Sequence, residues 1–388
     1  MLKSFTFDKR NVSLFYMRVK NLVRKFGTPI YVYNFKTIRE RYLDLVENIF
    51  YPKLRIHYAM KANSNIEILK LLRRLGAKVE TVSGGEILLA LKSGFRTKDI
   101  LYTSTSVSKA EIVFVVKNKI QINLDSLSQI ELYGKLNPGA KVGLRINQGI
   151  GAGHHDHVIT GGDMSKFGIP LPHLAQAKKL AEKYQLKITS LHQHIGSNVL
   201  DKKILLKAFE KLLETAGEFP DLESLDFGGG FGVPYLPEEK SFDFKIFGAE
   251  ITKKMSNFCK KYGRELTMIL EPGRFLVAES GILLATVTEI KNNPKRNFVG
   301  IDTGFNHLIR PILYGSYHEI LNASRVKGEK IKADIVGNIC EAGDVFGRSR
   351  IIVKPKIGDI LAIKNVGAYG YAMASHYNNR SLPREILV

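Results

Sequence analysis

The chain has 388 residues, of which 44% are hydrophobic, 24% charged and 10% aromatic, a composition that excludes a disordered or fibrous protein and suits two or three domains. Two cysteines, Cys259 and Cys340, are too few for a disulfide framework, so a reducing, cytoplasmic setting is expected. The net charge of +21 attracts phosphate in principle, but lysines and arginines are interleaved with acids and no nucleic-acid-binding motif is present. We therefore expect no nucleic-acid partner.

At the N-terminus, residues 1–27 break every apolar run with a charge, so they hold no signal-peptide core. No later stretch approaches the roughly 20 apolar residues of a spanning helix, and no membrane partner is expected. From residue 56 onward strand and helix alternate. IHYAMKA (56–62) reads as a buried strand, and NSNIEILKLLRRLG (63–76) as a helix with Ser64 or Asn65 at its N-cap and Gly76 at its stop. KVETVS (78–83), DILYTS (99–104) and QINLDS (121–126) are strands, each followed by a helix-like run. KVGLRIN (141–147), LKITSLHQH (186–194), LESLDFG (222–228) and LTMILEPG (266–273) continue the series, with helical runs at 171–185, 203–217 and 251–263.

Such alternation demands a parallel sheet, and eight strands favour a closed (β/α)8 barrel over an open doubly wound sheet. GGGFG at 228–232 lacks the spacing of a dinucleotide fingerprint. After Gly281 the texture becomes short, β-branched and rich in Gly, Pro and Asn, which reads as an all-β domain. The expected division is a barrel over 28–280 and a β domain over 281–388, the latter joined by part of 1–27.

A barrel's chemistry sits at the C-terminal ends of its strands. That rule marks Lys61, the Ser83–Glu86 turn, His192 and His194, the glycines Gly228, Gly229 and Gly230, and Glu271 through Arg274. A lysine after an apolar strand is partly desolvated and suits a nucleophile. A glycine nest suits a phosphate. Lysine, phosphate cradle and carboxylate together suggest pyridoxal phosphate, held by the lysine as a Schiff base and paired through its ring nitrogen with the carboxylate.

The segments FGTPIYVYN (26–34), YAMKANSN (58–65), VSGGE (82–86), HIGSN (194–198), DFGGGFGVPY (226–235), EPGR (271–274), LIRPILYGSYHEI (308–320), ICEAGD (339–344) and GAYGYAMASHYNNR (367–380) resemble, in order, those of the fold type III pyridoxal-phosphate decarboxylases. Among these they look most like the diaminopimelate decarboxylases. The resemblance implies an alanine-racemase-like barrel with a C-terminal β domain, and a homodimer with shared active sites. It implies that Lys61 carries the cofactor, that His194 stacks on its ring, and that Glu271 meets its nitrogen. Ser197, Gly228, Gly229, Gly230 and Gly273 would surround the phosphate, with Tyr369 near it. Arg274, Arg310 and Tyr314 would hold the substrate's distal carboxylate. Cys340 and Glu341 would come from the opposite subunit, the cysteine near the reacting carbon and the glutamate on the distal ammonium.

Two guanidinium forks in one pocket suit an anionic substrate end, which lysine and ornithine lack. The expected reaction is decarboxylation of meso-2,6-diaminopimelate to L-lysine and carbon dioxide. The alternative is a decarboxylase of another diamino acid or of carboxynorspermidine on the same fold. Gln148, the 102–111 segment and Glu80 depart from the family pattern, and none is expected to touch the chemistry directly. The cluster His154, His155, Asp156 and His157 lacks metal-ligand spacing, so no metal is expected. The resemblance reads 151–162 as a mobile active-site loop.

Overall fold

The structure is a computed structural model that describes residues 12–153, 155, 159–162, 164–325 and 327–388. His154, Asp156 and His157, and the first eleven residues of the N-terminal segment, lie outside the described residues. The chain divides into two compact units, one of residues 41–233 and 240–275, the other of residues 1–40, 234–239 and 276–388.

The elements begin with α1 (Val12–Phe26), β1 (Ile30–Tyr33) and α2 (Phe35–Glu47). The first unit then runs β2 (Leu54–Ala59), α3 (Ile66–Arg74), β3 (Lys78–Thr81), α4 (Gly84–Lys92), β4 (Ile100–Thr103) and α5 (Lys109–Lys117). It continues with β5 (Gln121–Leu124), α6 (Leu127–Leu136), β6 (Lys141–Asn147), the two-residue β7 (Ile169–Pro170) and α7 (Leu174–Lys183). It ends with β8 (Lys187–His192), α8 (Lys202–Ala216), β9 (Ser224–Asp226), α9 (Phe244–Tyr262) and β10 (Thr267–Leu270).

These strands close a barrel. Parallel pairing runs β2–β3–β4–β5–β6–β8–β9–β10, and β10 returns to β2, while β7 sits beside β6 off the ring. Strands covered on both faces have no solvent side, which is why β4 and β10 are buried at every position. The local sequence sets each strand-to-helix turn. Ser83, Ser108 and Ser126 each precede a helix, and their hydroxyls accept from the amides of Glu86, Glu111 and Gln129 three residues on. Asn65 caps α3 in the same way through Glu67. Gln148 is buried, and its side-chain oxygen accepts from the Thr215 hydroxyl.

The second unit is a largely antiparallel sheet. Its further elements are α10 (Arg274–Val277), β11 (Gly281–Asn293), β12 (Arg296–Ile301), α11 (Arg310–Tyr314), β13 (Ile320–Asn322), β14 (Lys330–Val336), β15 (Val345–Val353), β16 (Ile360–Lys364) and β17 (Arg384–Leu387). Strand β1 lies inside the 28–280 span read as barrel, yet it pairs antiparallel with β11 and parallel with β17. Ile30 and Val32 share a core with Val19 of α1, Ile282, Leu284, Ile360 and Ala362. An apolar run such as IYVY declares itself a strand without saying which sheet will take its hydrogen bonds. Among the described residues no helix is long and apolar enough to cross a membrane.

Candidate active site

Lys61 stands two residues beyond the end of β2, in a short 3-10 turn over Met60–Ala62. The Tyr58 hydroxyl donates to the Asn63 carbonyl and the Asn63 amide donates to the Met60 carbonyl, which pins the turn from both sides. Lys61 Nζ donates to Glu80 Oε2 on β3 at 2.9 Å. Glu80 is only 1% exposed, and burial pushes its carboxyl up to about 7 against the pull of the Lys61 ammonium. This corrects the expectation that Glu80 stands clear of the chemistry. The methylene that distinguishes it from aspartate helps carry its carboxylate to the lysine nitrogen.

The end of β10 lies next to this turn. The Ala59 amide donates to the Pro272 carbonyl, and a Cβ on Gly273 would come within 3.1 Å of the Ala62 Cβ. Glu271 follows β10 at 4% exposure, with Oε2 3.1 Å from His192 Nε2 at the end of β8. One ligand-type atom each of His192, Asp226 and Glu271 lies within 4.8 Å of the others. Burial first, and the neighbouring Glu271 charge second, hold Asp226 well above the usual carboxylate range. Burial acts in the same direction on Glu271, but the His192 contact and the Lys61 ammonium outweigh it and leave Glu271 below that range. Burial lowers His192, so a neutral imidazole donates Nε2–H to an ionised Glu271. Glu271 Oε1 is buried and receives no hydrogen bond.

The glycine run after β9 is threaded between two strand ends. Gly228 has φ +67°, and a Cβ there would run into the Gln193 carbonyl, while one on Gly229 would run into the Glu271 carbonyl. The Gly228 amide donates to Asp226 Oδ1 at 2.9 Å, and the Gly229 amide donates to His194 Nδ1 at 3.2 Å. These two amides therefore already have acceptors, and their glycines are required by close backbone approach. His194 is neutral, lowered well below its ordinary value by burial and then by the Lys61 charge, and its proton sits on Nε2. The described part of the 151–162 loop is held to this segment. The amides of Ala152 and Thr160 donate to the Ile195 carbonyl, and the Thr160 hydroxyl donates to the His194 carbonyl. Ser197 Oγ accepts from Arg274 Nη2 at 2.8 Å and Nε at 3.2 Å, which joins two residues read separately as phosphate and substrate contacts.

Arg310, Tyr314, Cys340, Glu341 and Tyr369 lie in the second unit. Arg310 opens α11 at 1% exposure, with Pro311 at the helix start where its missing amide proton costs nothing. Its Nη1 donates to His318 Nε2 at 2.9 Å, and His318 Nδ1 donates to the Lys364 carbonyl, a relay that fixes the imidazole tautomer. The guanidinium also sits 4.6 Å from the Tyr235 ring centre. Tyr369 holds φ +57°, shortly after β16. Cys340 and Glu341 are exposed on a loop built around Asp344, whose carboxylate accepts from the amides of Phe305 and Ile339 at 2.7 Å each.

The barrel unit thus brings together Lys61, His194, Ser197, the three glycines, Glu271, Gly273 and Arg274. Sequence reading assigned no part to Glu80 or Asp226 and marked His192 only by its place at a strand end. Their signal was alternation: each is a polar residue on the inward side of a strand, within reach of the mouth. The residues fit pyridoxal phosphate. A protonated ring nitrogen is the donor that the buried Glu271 Oε1 lacks, and Lys61 supplies the primary amine that an aldehyde requires.

Residues 35–278 match the family model described as the pyridoxal binding domain of the pyridoxal-dependent decarboxylases. The chain is 41% identical over 377 residues to diaminopimelate decarboxylase of Methanothermobacter thermautotrophicus, covering 95% of this chain and 88% of the relative. It is 35% identical over 392 residues to diaminopimelate decarboxylase of Escherichia coli K12, covering 96% and 92%. It is also similar to the crystal structure of the Helicobacter pylori diaminopimelate decarboxylase complexed with L-lysine. That likeness has a TM-score of 0.88 and 34% identity, and covers 95% and 94% of the two chains.

Proposed function

The chain belongs to the diaminopimelate decarboxylases, and from that premise we propose that it removes one carboxylate of meso-2,6-diaminopimelate to give L-lysine and carbon dioxide. The breaking bond is Cα–carboxylate, its electron pair stays on the substrate side, and a proton replaces the lost group. Pyridoxal phosphate, when bound, supplies the electron sink.

The chain's own residues do the rest. Lys61 would hold the cofactor through its primary amine, and Glu80, 2.9 Å from that nitrogen, would pair with it whenever it is an ammonium. His194 would lie against the ring, and Glu271 would keep the ring nitrogen protonated. The observation that carries this reading is Glu271 Oε1, a buried carboxylate oxygen beside a charged lysine and lacking a donor that the cofactor provides. Ser197, the glycine run, Gly273 and Tyr369 are assigned to the phosphate end.

Substrate selection is assigned to Arg310, Arg274 and Tyr314. A buried guanidinium left facing a neutral chain end is costly, whereas a distal carboxylate satisfies it bidentately. Cys340 and Glu341 are assigned to the active site of the opposite subunit in a homodimer, the thiol near the reacting carbon and the carboxylate on the distal ammonium. Their exposure on a loop braced by Asp344 supports that role. The enzyme is placed in lysine biosynthesis and in the cytoplasm, where two unbridged cysteines are at home.

The test is carbon dioxide release from meso-diaminopimelate, L-lysine, D-lysine, D-ornithine and carboxynorspermidine by the cofactor-loaded enzyme and its Arg310→Ala variant. The expected result is turnover of diaminopimelate, with kcat/KM reduced about 100-fold in Arg310→Ala. Preference for a substrate without a distal carboxylate, or a variant as active as the parent, would overturn the assignment.

A further inference from the structure

The reading above leaves two buried ionisable groups without a task, His192 and Asp226, at 1% and 0% exposure. Both sit against Glu271, the residue on which the electron sink depends. Three acids, Glu80, Asp226 and Glu271, are buried within electrostatic reach of one another, and buried carboxyls that interact in this way do not all ionise. Which of them carries the charge decides whether a ring nitrogen finds an acceptor or a competing donor. Geometry selects Glu271.

The His192 contact is specific to one carboxylate oxygen. His192 Nε2 lies 3.1 Å from Oε2, and an ionised carboxylate there forces the tautomer with the proton on Nε2, because the other tautomer would oppose two lone pairs. That bond occupies Oε2 and leaves the buried Oε1 open to a further donor. Asp226 is held differently: Oδ1 takes the Gly228 amide, while Oδ2 is buried and the carboxyl is in hydrogen-bonding contact with Glu271, as suits a carboxyl that keeps its own proton beside an ionised one. Among the described residues, the other charged and titratable groups that act on this cluster include Lys61, Arg145, His194, Glu80, His57 and Asp125.

We propose that His192 is a positioning residue which, with a neutral Asp226 beside it, keeps Glu271 ionised and turned so that Oε1 alone meets the cofactor's ring nitrogen, and so sets the strength of the electron sink. This deepens the proposed function and rests on it.

The test uses holoenzyme loaded with pyridoxal phosphate labelled with nitrogen-15 in the ring, whose chemical shift reports protonation directly. Wild type gives the shift of a protonated ring nitrogen. His192→Leu moves it toward the unprotonated form, weakens cofactor retention about tenfold and lowers kcat more than KM. His192→Gln, whose amide places a donor near the old Nε2, restores the wild-type shift. Asp226→Asn, which mimics a neutral carboxyl, leaves the shift in place. A wild-type shift in His192→Leu would overturn the proposal. Should that variant fail to fold, a lost shift in His192→Gln or a moved one in Asp226→Asn overturns it equally. Failure of the broader reading looks different: wild-type protein that neither binds the labelled cofactor nor releases carbon dioxide.

Discussion

Glu80→Gln is the perturbation whose consequence follows most directly from the structure. Burial raises this carboxyl from an ordinary 4.5 to about 7, even with Lys61 2.9 Å away. A carboxyl with a higher pKa folded than unfolded takes up a proton on folding. Its contribution to stability is therefore complete below pH 4.5 and is lost as pH rises through about 7. At ~1.4 kcal/mol per pH unit, the loss amounts to ~3 kcal/mol. For a cooperative unit the size of the barrel, at ~2 °C per kcal/mol, the melting midpoint of the cofactor-free enzyme falls by ~6 °C more in wild type than in the variant between about pH 5 and about pH 8. Removing the Lys61 partner displaces the variant's midpoint at both pH values, so the informative quantity is the difference in slope. The assay is differential scanning fluorimetry of both proteins at the two pH values. Parallel pH dependences, agreeing within ~1 °C, would refute the claim that a desolvated acid sits on the lysine.

Two further outcomes follow from packing and hydrogen bonds. Gly228→Ala places a Cβ against the Gln193 carbonyl at a φ of +67°, so the melting midpoint should drop by at least the ~1–3 kcal/mol of a strained backbone and cofactor affinity should fall with it; an unchanged midpoint would contradict the geometry. Asp344→Ala strips the acceptor from the Phe305 and Ile339 amides and should cost ~1–3 kcal/mol for each amide left buried and unsatisfied. Because the same loop carries Cys340 and Glu341, turnover should fall as well, measured beside the melting midpoint; wild-type values in both would show that the loop stands without Asp344.

All eight barrel strands were legible because parallel strands buried on both faces read as short apolar runs, and after β2, β3, β4 and β5 a serine- or asparagine-capped helix follows. The positions of Lys61, His194 and Glu271 were legible for a related reason: they follow strand ends, where a barrel collects its chemistry. The place of β1 was not, because IYVY satisfies either sheet and only the partners β11 and β17 decide between them. Glu80 and Asp226 were missed for another reason. They are ordinary acids within strands, and nothing in the sequence says that their neighbours on the adjacent strands are a lysine and a second carboxyl. The parallel register of β2 with β3 and of β9 with β10 creates those pairs, and neither strand's own sequence states its register.

The same register gives one residue type two opposite surroundings at one end of the barrel. Glu80 and Glu271 are both almost fully buried, and burial alone would leave both neutral. Glu80 has Lys61 as its close partner, and it remains near 7. Glu271 has His192 in hydrogen-bonding contact, Lys61 across the cavity and a neutral Asp226, and these hold it ionised. Pairs of titratable groups pushed apart by their surroundings mark the division of acid–base labour in an active site. Here an acid raised by burial faces the amine, and an acid held ionised by its neighbours is the one assigned to the ring nitrogen. Exchanging their environments, rather than their identities, is what would abolish the chemistry.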